Sequence, residues 1–189
     1  DEKPSNASNR ARNIGFELYL NSIFLKAGFK PEYDTAADLS FNVGNARYFV
    51  EAKRPTTNKA IKNVITDANS QLNCRLKSSL SKKNKGLIAL DLTKIINPDD
   101  KIMPVHNEEY LFDLMYNEDK LQIDSLRKFW NKKKHKRTIG VLFHYRLLTN
   151  FYKNEQLSTV KWIGAVALCD DPEFSLITNK LQNVVREIC

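Results

Sequence analysis

Gly44-Asn45 sits between two alternating runs, DLSFNV before it and ARYFVEAK after it, and this arrangement predicts a β-hairpin over residues 36 to 54. If those two residues are the whole turn, Val43 faces Ala46 and the numbers of every cross-strand pair sum to 89. The register then assigns each side chain to a face, because the side-chain period of a strand is two residues. One face carries Phe41 with Tyr48, Leu39 with Val50 and Ala37 with Ala52, all apolar and suited to packing against a helix. The other carries Asn42 with Arg47, Ser40 with Phe49 and Asp38 with Glu51, and Lys53 projects from that same face two residues beyond Glu51.

Directly opposed residues have Cβ atoms about 4.5–5.5 Å apart, and like charges so placed repel unless a cation lies between them. A hard divalent ion suits the position. Mg²⁺, with Mn²⁺ able to substitute, takes carboxylate and backbone carbonyl oxygens and keeps several waters, so Asp38, Glu51 and a neighbouring C=O match it. Lys53 beside them would hold or deprotonate a water, or neutralise charge on a phosphate. The bland reading is a solvated strand face with scattered charges, since E-x-K alone is a common tripeptide.

The rest of the chain supplies the setting. A polar leader, residues 1 to 12, precedes a helix over 13 to 28 with Ile14, Phe16, Leu20, Ile23, Phe24 and Ala27 at helical spacing and a stop at Gly28. A second helix is predicted over 58 to 80 from Ile61, Val64, Ile65, Ala68, Leu72 and Leu76, and a lysine-rich turn ends it. GLIALDL (86 to 92) reads as a strand buried on both faces, and RTIGVLFHYRLL and STVKWIGAVALC read as two more. Residues 107 to 134 read as a helical insertion interrupted near Asn117, carrying Tyr110, Leu111, Leu114, Met115, Leu121, Leu126, Phe129 and Trp130, and a last helix is expected from Phe174. With no internal repeat, the economical architecture is one α/β domain over 13 to 189, a mixed sheet flanked by helices in the order α-β-β-α-β.

Composition narrows the function classes. At 189 residues, 42% hydrophobic and 28% charged, the chain falls outside the collagen-like and disordered ranges. No run reaches the roughly 20 apolar residues of a membrane span, so no membrane partner is expected. Cys74, Cys169 and Cys189 are odd in number and unpaired in spacing, which indicates neither a zinc clip nor a disulfide framework and leaves a reducing cytoplasm as the expected compartment. A net charge of +8 favours a polyanionic partner. The start at Asp1 admits an excised domain of a larger protein.

Together, the helix bearing Glu17, the A-A-D of Ala36 to Asp38 and the V-E-A-K-R-P of Val50 to Pro55 resemble the PD-(D/E)xK nuclease superfamily, with its restriction-endonuclease-like fold. The resemblance covers roughly residues 13 to 92, and Ala37 stands where the name of the family has Pro. It implies that Asp38 and Glu51 hold Mg²⁺, that the Ala52 carbonyl completes the shell, and that Lys53 positions the attacking water. It also implies that Glu17 points into the site as a further ligand or a hold on a metal-bound water. The alternative for Glu17, beside an apolar stripe where an unpaired charge is costly, is a boundary residue paired with a surface lysine.

RecB-type members place a Gln on the second helix and a Tyr four positions on; here these are Gln71 and Arg75, so the motif is half present. Gln71 would orient the substrate backbone or a catalytic carboxylate, Arg75 would contact phosphate, and both also read as plain surface residues. Arg54, Lys59 and Lys62 are candidate phosphate neighbours of the site. Lys82, Lys83 and Lys85, then Lys132, Lys133, Lys134, Lys136 and Arg137, form basic clusters of the kind that contact a phosphate backbone without reading bases, or that simply solvate helix ends. Tyr145, Arg146 and Tyr152 could stack on bases or pack as rim residues. His106, His135 and His144 are widely separated and receive no role.

The expected activity is Mg²⁺-dependent hydrolysis of phosphodiester bonds, DNA being favoured over RNA, either alone or as the cleavage domain of a larger defence or repair protein with further domains or an activator. Duplex cleavage would call for a homodimer. The competing class is a catalytically inactive module of the same fold that binds nucleic acid or a protein partner.

Overall fold

The computed structural model describes residues 6–34, 37–130, 134–152 and 156–187. Helix α1 spans Asn6–Lys26. It begins seven residues before the expected start, so half of the stretch read as a leader is helical; that half has no apolar periodicity to reveal it. Phe16, Leu20, Ile23 and Phe24 are buried along one stripe. The helix stops at Gly28, whose φ of 82° only glycine adopts without strain. The Gly28 N–H donates to the Leu25 carbonyl and the Phe29 N–H to that of Phe24, both at 3.0 Å, and the Phe24 and Phe29 rings close over this cap with centroids 5.8 Å apart.

Strands β1 (Glu32–Asp34), β2 (Ala37–Val43) and β3 (Ala46–Lys53) follow. The β2–β3 hairpin turns at Gly44 with φ 55° and has the predicted register, from Val43 opposite Ala46 to Leu39 opposite Val50. Beyond Leu39 the expected pairing gives way. Ala37 pairs with Asp34 of β1, an unpredicted three-residue strand, and its side chain joins the cluster containing Phe49 rather than the one containing Ala52. The β1–β2 register is itself irregular between Glu32 and Asp34, so the start of β2 departs from regular pairing.

Helix α2 (Asn58–Ser78) is capped by Thr57, whose hydroxyl accepts from the Ala60 N–H at 3.3 Å. It carries the chain over to β4 (Lys85–Asp91), which lies parallel to β3 and is buried from Gly86 onward, as expected of a strand covered on both faces. The short helix α3 (Thr93–Ile96) and strand β5 (Met103–Val105) lie in a stretch whose few apolar residues set no period. Helix α4 (Glu108–Trp130) is continuous through Asn117, contrary to the expected interruption. Asn117 is exposed and lies between turns anchored by buried Leu111, Met115, Leu126 and Trp130, and that packing outweighs the modest helix propensity of Asn. Tyr110 and Leu121, read as part of its apolar face, are exposed. The last elements are β6 (Thr138–Phe151), β7 (Gln156–Ala167) and α5 (Pro172–Glu187).

The sheet runs β1-β2-β3-β4-β6-β5, with β7 antiparallel to β6. Helices α1 and α5 cover one face around Phe24, Phe41, Tyr48 and Leu142, and α2 and α4 cover the other around Ile65, Leu72, Phe143 and Trp130. Among the described residues no helix is long and apolar enough to cross a membrane.

Candidate functional site

The hairpin delivers its charged residues to the end of β3, where α1 and α2 both approach. Where the β2–β3 ladder lapses, the Asp38 side chain takes over: its Oδ2 accepts from the Ala52 N–H at 2.8 Å. The same oxygen lies 3.1 Å from Lys53 Nζ, and that ammonium lies 3.2 Å from Glu51 Oε2. Lys53 thus bridges the two carboxylates, although Asp38 and Glu51 are not paired across the strands as the register predicts. Glu51 is fully buried, whereas the Asp38 and Lys53 side chains are 25% and 20% exposed, so this pair forms the accessible lip of the site and Glu51 its floor.

The floor carries a second cation. The Arg75 guanidinium, reaching from α2, pairs with Glu51 Oε1. A carboxylate without exposure is costly unless paired, and two cations satisfy it here. Arg75, expected on phosphate, is therefore a partner of Glu51, while Gln71, one turn earlier on α2, is exposed. Glu17 belongs to the site electrostatically. Burial pushes its carboxyl up, the Asp38 charge pushes in the same direction and Lys53 opposes them.

A second group adjoins this one; of its members only Arg54 is expected from the sequence, as a phosphate neighbour, while Asp91, Thr93 and His144 are not. Arg54 Nε donates to Asp91 Oδ2 at 2.8 Å, with both side chains mostly buried, so Arg54 is held by a carboxylate. Asp91 Oδ1 accepts from the Thr93 hydroxyl at 2.6 Å and lies 3.5 Å from His144 Nδ1. Burial pushes the Asp91 carboxyl up, but the His144 ring, when protonated, and the Thr93 donors more than offset this and hold it well below the usual carboxylate range. His144 packs between β6 and α1, its ring centroid 4.5 Å from that of Tyr19 and 5.5 Å from that of Phe16. No spacing rule joins Asp91 to His144; the parallel pairing of β4 with β6 sets them opposite each other.

The outlying basic residues divide by what they touch. Lys59 and Lys62 are exposed on the first turns of α2, and Lys62 Nζ lies 5.7 Å from the centre of the Phe129 ring. Lys82, Lys83 and Lys136 are exposed, and Lys134 Nζ reaches the Leu168 carbonyl at 3.4 Å. Lys132 and Lys133 lie outside the described residues. Arg137 is committed elsewhere: its guanidinium donates to the Leu76 carbonyl in the last turn of α2, to that of Ser81 at 2.7 Å and to that of Asn84 at 3.3 Å. Lys85 is likewise engaged, by Asp171 and Glu173 at 2.7 Å each. Tyr145 is buried and offers no stacking surface for a base.

Among the described residues no trio of His, Cys, Asp or Glu side chains is gathered as a metal centre. Asp38 and Glu51 still fit a Mg²⁺ ion chemically, because that ion needs only one or two carboxylates and keeps waters in its remaining positions. The Lys53 ammonium bridging them shows that the gap between these oxygens accepts a cation. No family model, curated protein or solved structure matches the chain.

Proposed function

We propose that the protein is a Mg²⁺-dependent nuclease of the restriction-endonuclease-like type, with Asp38, Glu51 and Lys53 as its catalytic residues. The observation that carries this reading is the convergence of two carboxylates on one lysine at the end of β3. Asp38, Glu51 and the Ala52 carbonyl would hold the metal, which when bound supplies a Lewis acid for the phosphoryl oxygens. Lys53, 3.1 Å from Asp38, is placed to orient a water for attack on phosphorus and to offset charge on the phosphate. Glu17 would hold that water from the α1 side. Exposed Lys59, Lys62 and Lys136 would contact the phosphate backbone, DNA being the favoured substrate, with a homodimer serving duplex cleavage.

Incubation with plasmid, linear DNA and an RNA panel in Mg²⁺, Mn²⁺ or EDTA tests this. Cleavage that requires the metal is expected, with Asp38→Asn and Lys53→Ala each losing at least about a hundredfold in rate. Cleavage unchanged in both variants would remove the assignment.

One observation favours a second reading, an inactive module that binds nucleic acid or a partner. Arg75 and Lys53 already neutralise Glu51, as a structural ion network would. That reading expects salt-dependent DNA or partner binding, indifferent to Mg²⁺, with no cleavage.

A further inference from the structure

At the sheet edge opposite β1, between α4, β7 and α5, lies a cavity of about 490 Å³, well within the range of small-molecule sites. Its mouth is aromatic. Phe112 and Tyr116, one turn apart on α4, are 45% and 61% exposed, and the Phe112 ring meets that of Trp162 on β7 with centroids 5.8 Å apart and planes at 53°, two walls of a corner. Beside these rings stands Asp119, a carboxyl only 8% exposed. Its Oδ2 accepts from the Trp162 indole N–H at 2.7 Å, whereas its buried Oδ1 has no hydrogen-bond partner.

Gly164 leaves the space that Asp119 fills, since a Cβ at this position of β7 would overlap the carboxylate. Burial pushes the Asp119 carboxyl up, and its neutral neighbours, Trp162 and Tyr145, oppose that without supplying charge. Two lysines also line the cavity, Lys120, which is exposed, and Lys161, whose Nζ lies over the Tyr19 ring at 5.9 Å. The first three turns of α4 carry Glu108, Glu109, Asp113, Glu118 and Asp119 with no basic residue, an acidic stretch on a chain of net charge +8.

From the aromatic corner around the buried, half-satisfied Asp119 carboxyl we infer that this cavity binds a small organic cation of the alkylammonium or alkylguanidinium class. Phe112, Tyr116 and Trp162 present ring faces to the cation, and the buried Asp119 supplies the opposite charge. This site lies apart from the carboxylates of β2 and β3 and does not depend on the nuclease reading.

Titrating the whole protein with tetramethylammonium and with butylguanidinium, read by calorimetry and by the fluorescence of Trp162, tests the inference, with neutral butyramide as the control. Saturable binding of at least one cation and none of the amide is expected. Tyr116→Ala and Phe112→Ala, both at the exposed rim, should each weaken binding by about threefold to tenfold, with the wild-type melting transition retained. Asp119→Asn should weaken it by about tenfold or more, with retention of the wild-type melting transition as the control for folding. Absence of saturable binding, equal binding of the amide, or indifference to both rim variants would overturn the inference. Binding confined to an arginine-containing extended peptide, with neither small cation bound, would overturn it in favour of a side chain delivered by a partner strand along the β7 edge.

Discussion

Arg75→Met tests the electrostatic account of the site without touching any residue assigned to chemistry. In the folded protein Glu51 is fully buried and paired with Lys53 at 3.2 Å and with Arg75, whose side chain is 21% exposed. Removing one partner of a buried pair typically costs about 3–5 kcal/mol, because the remaining charge is left uncompensated. Lys53 remains on Glu51 and Met keeps the apolar stem of the arginine, so the expected loss is about 2–3 kcal/mol. For a chain of this length that lowers Tm by about 4–12 °C, measured by calorimetry in EDTA. Adding Mg²⁺ then separates the two functional readings. An ion that binds only the native state stabilises it by RT ln(1 + [Mg²⁺]/Kd), about 2.7 kcal/mol at a hundredfold excess over Kd. Arg75 competes for the same carboxylate, so the Mg²⁺-dependent rise in Tm should be larger in the variant than in the wild type. A loss below about 1 kcal/mol would refute the ion-pair account of Glu51, and equal or absent Mg²⁺ increments would refute metal binding there.

Two further outcomes follow from neighbouring groups. Arg137→Ala strips donors from three backbone carbonyls and should destabilise by about 1.5–3 kcal/mol in urea unfolding, whereas exposed Lys136→Ala should stay within about 0.5 kcal/mol. In DNA titrations across salt concentrations, Lys136→Ala should reduce the slope of log K against log salt by about one, and Arg137→Ala should leave it unchanged. Asp91, held below its ordinary value of 3.8, contributes stability that is present above that value and is lost as pH falls through the lower folded one. Asp91→Asn should therefore flatten the loss of stability below about pH 4 in acid unfolding followed by circular dichroism, and an unaltered acid limb would show that the His144 and Thr93 contacts do not hold the charge.

The hairpin was legible because a two-residue turn leaves one register from Val43 opposite Ala46 to Leu39 opposite Val50; beyond it Asp38 reaches β3 through its side chain, which accepts from the Ala52 N–H. Strand β4 was legible because seven consecutive residues with almost no polar interruption suit only a strand covered on both sides. Helix α4 was harder. Its large apolar residues lie all around it, Leu111 and Met115 inward and Phe112 and Tyr116 outward, so no clean stripe marks the buried face and Asn117 looks like a stop. Asp91 and His144 meet only through the parallel pairing of β4 and β6, a contact with no local signature. Spacing on α2 puts Gln71 and Arg75 on neighbouring turns, but only the rotation of the packed helix decides that Arg75 reaches Glu51 while Gln71 stays in solvent.

Charge at the end of the sheet joins these groups into one device. The carboxylates of Glu17, Asp38, Glu51 and Asp91 stand against the cations of Lys53, Arg54 and Arg75, leaving one formal negative charge. Alone, that surplus repels a phosphodiester, which also carries one negative charge. Under the proposed nuclease function a divalent ion would reverse the sign and leave one positive charge, the complement of a phosphodiester's. On the nuclease reading, Arg54 and Arg75 therefore have a purpose beyond folding: they hold enough carboxylate charge in check that a single Mg²⁺ is sufficient to turn a repelling site into an attracting one.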